Sequence, residues 1–116
     1  MAEHFNVLTP AEVERLALLL EELGEAQQAI GKILRHGYES CDPTRPYGER
    51  QTNRRDLEDE IGDVQAAVLM MTAAGDLNPS EIRHAIDRKA RRVKRYLHHQ
   101  QAEHRITRQD ANDIWG

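Results

Sequence analysis

Cysteine is almost missing from this chain: Cys41 stands alone among 116 residues. One thiol excludes an internal disulfide and a cysteine-based zinc site. No apolar run approaches the roughly 20 residues that a membrane-spanning helix needs, so no membrane association is expected. Met1 to Asn6 lacks a basic stretch followed by an apolar one; no signal peptide is expected, and the cytoplasm is the default location. Strand-like alternation, internal repeats and low-complexity segments are also lacking. A di-iron four-helix protein wants two Glu-x-x-His words, and only Glu81 to His84 supplies one.

The residues that are present suit a small globular domain, with 39% hydrophobic and 31% charged side chains. Formal net charge is −4, but its distribution is uneven. Residues 1–63 carry 14 acidic and 7 basic side chains, and residues 64–116 carry 6 and 9. An acidic front and a basic back suit a site that holds a metal and a polyphosphate together. They also suit two solvated faces of opposite sign.

Helix signals are strong in three places. Thr9, Pro10 and Glu12 spell an N-cap, a first-turn proline and a capping box. That helix is expected to reach His36, with Gly37 ending it. Val13, Leu16, Leu20, Leu23, Ile30 and Leu34 form one stripe of helical period. A second helix is expected between Asn53 and Gly75, with Leu57, Ile61, Val64, Val68 and Met71 as its main stripe. Its half from Val64 to Ala74 is apolar nearly all round, which marks a buried helix. Two further helices of a short chain hardly cover it, so a partner copy is expected. The third helix takes Asn78 as cap and Pro79 at its first position. Ile82, Ile86, Val93 and Leu97 are its expected core stripe, and fraying is expected after Gln100. The fold class expected is all-α, a bundle of three main helices completed by oligomerisation into four-helix-bundle-like units. Residues 1–100 make the domain and 101–116 a polar tail that includes Trp115.

Two acidic words carry the chemistry. Glu22 and Glu25 lie at i and i+3 on the first helix; Glu60 and Asp63 do the same on the second. At about 100° per residue, both pairs fall at the edge of an apolar face. If the helices pack side by side, four carboxylates converge. Two like charges about 4 Å apart cost roughly 4 kcal/mol at an effective dielectric near 20. Such a group needs protons, basic partners or a divalent cation. Matching cations are few, Lys32 being the best placed. Carboxylate oxygens suit a hard cation, Mg²⁺ above all, with Mn²⁺ as a substitute.

Glu21-Glu22-Leu23-Gly24-Glu25 followed by Glu60-Ile61-Gly62-Asp63 resembles the all-α nucleoside triphosphate pyrophosphohydrolases, the MazG-like group. Lys89-Ala90-Arg91-Arg92-Val93-Lys94-Arg95-Tyr96 is similar to the basic stretch of that group's third helix. The resemblance covers roughly residues 9–97. Arg35-His36-Gly37 and Tyr96-Leu97-His98-His99 look most like small phage-encoded members, which would place the protein in a host cytoplasm. The 34 residues between Glu25 and Glu60 exceed the usual spacing, and Val93 stands where many relatives carry Asn.

The resemblance implies attack by water on the α-phosphate of an NTP or dNTP, giving the monophosphate and pyrophosphate. By position, Glu22, Glu25, Glu60 and Asp63 would be the Mg²⁺ ligands, and Glu21 would orient or deprotonate the water. Lys89, Arg92 and Tyr96 share one face of the third helix at i, i+3 and i+7; the two cations suit the β- and γ-phosphates, and Tyr96 suits core packing equally well. Lys32 is a further phosphate contact. Tyr38 and Tyr47, in the long connection 37–52, are candidates to stack on a base or to cover the bundle. A homodimer or homotetramer is expected, and no nucleic acid. Two other readings use the same helices: a helix-turn-helix-like nucleic-acid binder built on the basic third helix, and a helical adaptor with no chemistry.

Overall fold

The computed structural model describes residues 5–100. The chain falls into two compact units, Met1–Asp76 and Leu77–Gly116. Three α-helices are present among the described residues, with no strand; an antiparallel bridge between Cys41 and Thr52 stands by itself. The all-α expectation holds. The tail with Trp115 lies outside the described residues.

Helix α1 spans Pro10–His36. Its capping box forms as expected: Thr9 Oγ1 accepts from the Glu12 N–H at 3.1 Å, and Glu12 Oε1 accepts from the Thr9 N–H at 2.9 Å. Gly37 ends it at φ 87°, a conformation that side chains with a Cβ rarely adopt. The connection to the next helix is built, not loose. Asp42 accepts from the Thr44 N–H and hydroxyl. The Arg50 guanidinium donates to the Arg45 and Pro43 carbonyls. A 3₁₀ turn, Tyr47–Glu49, completes it.

Helix α2 spans Asn53–Ala73 and is capped by Thr52, whose hydroxyl accepts from the Arg55 N–H at 3.1 Å. Asn53 is therefore the first helical residue, and its side chain has another use. It is buried, and its Nδ2 donates to the Gly37 carbonyl at 3.1 Å. At the far end, Gly75 N–H donates to Thr72 O and Asp76 N–H to Met71 O. With Gly75 at φ 87°, this is a Schellman closure. Arg15, near the start of α1, meets Asp76, just past the end of α2. The two helices are therefore antiparallel.

Packing between α1 and α2 departs from the stripe reading. The buried side chains are Ala26, Ala29, Ala67, Met71 and Asn53. Val13, Leu16, Leu20, Leu23, Ile30 and Leu34 are all exposed, Leu20 by 74% and Leu34 by 82%. The reason is angular. Ala26 and Ala29 lie on the face of α1 that carries Glu22, about a third of a turn from the leucine stripe. One side of the apolar half of α2 is also open, with Leu69 68% exposed and Met70 exposed, while Ala67 and Met71 are buried. The leucine stripe of α1 points elsewhere, while Met71 is buried with the alanines and Leu18, Ile33, Leu57 and Val64 are half-buried.

In the second unit, Asn78 caps helix α3, Pro79–Arg92, through a bond from the Ser80 N–H to its Oδ1. The helix tightens to a 3₁₀ turn at Val93–Arg95. It thus ends earlier than expected, and Leu97 lies outside it and exposed. Ile82, Ile86 and Val93 are half-buried.

Candidate metal centre

The seven-residue step aligns the site. On α1, Arg15, Glu22 and Ala29 follow one line; on α2, Asn53, Glu60 and Ala67 follow another. Seven residues drift only about 20° around a helix, so each line stays on one face. Because Ala29 and Ala67 are buried between the helices, Glu22 and Glu60 are carried into the same seam. Glu25 and Asp63 follow three residues later on their own helices.

The result is a convergence of four carboxylates. Glu22, Glu25, Glu60 and Asp63 each offer one oxygen, and these oxygens all lie within 4.8 Å of one another. That spacing and an all-oxygen donor set would suit a hard divalent cation such as Mg²⁺. Asp63 is exposed, whereas Glu22 and Glu60 are half-buried. One oxygen on each of these two, Glu22 Oε2 and Glu60 Oε2, is buried with no hydrogen-bond partner. Orphaned carboxylate oxygens are costly unless a proton or cation reaches them.

Electrostatics point the same way. Burial, then the Glu25 charge, then Asp63 and Glu21 raise the Glu22 carboxyl above its ordinary value. Burial first and the adjoining Glu25 carboxylate next raise Glu60. Among the described residues, five arginines pair with other acids. Arg15 pairs with Asp76, Arg45 with Asp42 and Asp56, Arg54 with Glu39, Arg55 with Asp59 and Arg91 with Asp87. None pairs with the quartet.

The other expected site residues are placed less tightly. Glu21 is exposed on α1, one residue from the seam, and its charge reaches Glu22. Lys32 is half-buried, and its charge reaches Asp42 in the connection. Lys89, Arg92 and Tyr96 belong to the second unit and are exposed. Tyr38 and Tyr47 already carry guanidinium groups on their rings: Arg54 at 4.2 Å and Arg50 at 5.1 Å. The sequence pattern assigns no contact to Arg15 or Asp76 and marks Asn53 only as a helix boundary. Arg15 at i−7 from Glu22 and Asn53 at i−7 from Glu60 were the available signal.

Comparison of the chain with family models, curated proteins and solved structures finds no match.

Proposed function

We propose that this protein is a divalent-cation-dependent pyrophosphohydrolase that converts an NTP or dNTP to its monophosphate and pyrophosphate. The observation that carries this reading is the unneutralised quartet, with two buried oxygens that lack any donor. A hard, oxygen-seeking ion such as Mg²⁺, or Mn²⁺ in its place, satisfies those oxygens and supplies charge neutralisation for a phosphate chain. The choice of nucleotide as substrate rests on the resemblance of the two acidic words and of the basic third helix.

In this reading Glu22, Glu25, Glu60 and Asp63 hold the ion. Glu21, exposed beside them, accepts a proton from the attacking water. Lys32 is a further phosphate contact, and the resemblance alone assigns Lys89, Arg92 and Tyr96 to the substrate. The exposed leucines of α1 and the open side of the apolar half of α2 support self-association into a homodimer or homotetramer, which would complete a four-helix-like unit. Isolated chains seldom leave apolar area this continuous in water.

The test is a pyrophosphate-release screen over the common NTPs and dNTPs with and without Mg²⁺. Release from at least one substrate, lost in Glu60→Gln, is the expected result. No release from any substrate removes the hydrolase reading. Tight, salt-sensitive binding to duplex DNA by the same inactive protein would favour the nucleic-acid reading instead.

A further inference from the structure

The α1–α2 hairpin is closed at one end and open at the other. At the closed end, residues 37–52 join the helices, and Asn53 is tied to the Gly37 and Ser40 carbonyls. At the open end the direct polar tie is Arg15 to Asp76. Arg15 Nε donates to Asp76 Oδ2 at 2.6 Å and Nη2 to Oδ1 at 3.0 Å, a fork-to-fork pair. The two residues are 61 apart in sequence, and both side chains are mostly covered, at 20% and 14% exposure. Asp76 is itself fixed, because the Schellman closure at Gly75 holds its backbone against Met71.

The carboxylate quartet lies between these two ends. Arg15 is on the same face of α1 as Glu22, about 10.5 Å along the axis. The fully buried side chains of the hairpin are three alanines, one methionine and Asn53; larger aliphatic side chains on the same faces, Leu18, Ile33, Leu57 and Val64, are only half-buried. Four converging carboxylates push the helices apart, and a hairpin parts most easily at its open end.

We infer that Arg15 and Asp76 are a positioning pair for the carboxylate site: they close the open end of the hairpin and hold α1 and α2 at the separation and register that bring the quartet together. The inference rests on reading the quartet as a divalent-cation site. Neither residue touches the ion. Their effect is geometric, so it differs in sign from what their charges do through space. Removing the Arg15 cation makes the seam more negative and by charge alone tightens cation binding. Loss of positioning weakens it.

The experiment is a Mn²⁺ titration of the full chain, followed by electron paramagnetic resonance. Wild type, Arg15→Met, Asp76→Asn and the double variant are compared at a temperature where circular dichroism shows native helix content. Both single variants are expected to weaken binding about tenfold, the low end of what outer partners of a metal site contribute. The double variant is expected to be no weaker than either single one, because both break the same tie. Arg15→Met binding Mn²⁺ as tightly as wild type, or more tightly, overturns the inference while leaving the cation site intact. If wild type itself binds no Mn²⁺, the underlying site reading fails instead. Should Arg15→Met not fold, Asp76→Asn decides alone in about 0.5 M salt, where charges 10 Å apart are screened: weakened binding supports positioning, and unchanged binding overturns it.

Discussion

Glu22 on α1 and Glu60 on α2 face each other across an alanine-lined seam, each with one carboxylate oxygen buried and unpartnered. Their ligand oxygens, with those of Glu25 and Asp63, fit within 4.8 Å. A helix pair that folds this way places like charges where water reaches them poorly. Either protons or a cation must relieve the repulsion, and the consequences are measurable.

Stability should depend on pH with a definite sign. Glu22 and Glu60 titrate above the ordinary glutamate value of 4.5. The folded chain thus binds more protons than the unfolded chain between that value and the raised ones. Metal-free protein is expected to lose stability as pH rises through that window. Asp76 works in the opposite sense: its hydrogen bonds from Arg15 hold it below its ordinary 3.8, so its contribution is lost as pH falls below that value. Urea unfolding in EDTA across the acid-to-neutral range checks both limbs. Saturating Mg²⁺ should flatten the fall on the neutral side, and so should Glu60→Gln. A neutral-side limb that neither one changes would contradict this assignment.

Cation binding should also raise thermal stability by linkage. At a free Mg²⁺ or Mn²⁺ concentration about 100 times Kd, the gain is about 2.7 kcal/mol. For a domain of this size that is roughly 10–20 °C in Tm. Scanning calorimetry with either ion, then with EDTA, measures it. Glu22→Gln and Glu60→Gln should lose the gain and keep their helix content.

Self-association should depend on the exposed face of α1. Leu20→Asp is expected to shift the sedimentation equilibrium mass from a multiple of 13.3 kDa toward a single copy. Wild type sedimenting as a monomer at every concentration would remove the oligomer proposal without touching the carboxylate site.

Asn53 should matter to the closed end of the hairpin. Asn53→Ala removes the hydrogen bond to the Gly37 carbonyl, and the loss is expected to be about 1 kcal/mol in urea unfolding. A change within about 0.5 kcal/mol, the range of an ordinary surface substitution, would show that the tie contributes nothing.

Much of this architecture is legible in the residues themselves. Thr9-Pro10-x-Glu12 and Asn78-Pro79 mark helix starts because capping is local chemistry that needs no tertiary information. The acidic words could be assigned to helix faces for the same reason. Which face of α1 meets α2 was not legible. The leucine stripe is the stronger hydrophobic signal, yet α1 turns Ala26 and Ala29 to α2, because close approach favours small side chains. Periodicity finds an apolar stripe without naming its partner. The Arg15–Asp76 tie is a contact between residues far apart in sequence, and no local pattern announces it. Thr52 caps α2, and the Asn53 side chain reaches back to the Gly37 carbonyl.

The most direct measurement is a Mn²⁺ titration of the wild-type chain beside Glu60→Gln, with Mg²⁺ as competitor. Saturable binding to wild type, displaced by Mg²⁺ and lost in Glu60→Gln with the helices intact, is the predicted result. Equal binding by both proteins, or none by wild type, would contradict the claim that Glu22, Glu25, Glu60 and Asp63 form a cation site.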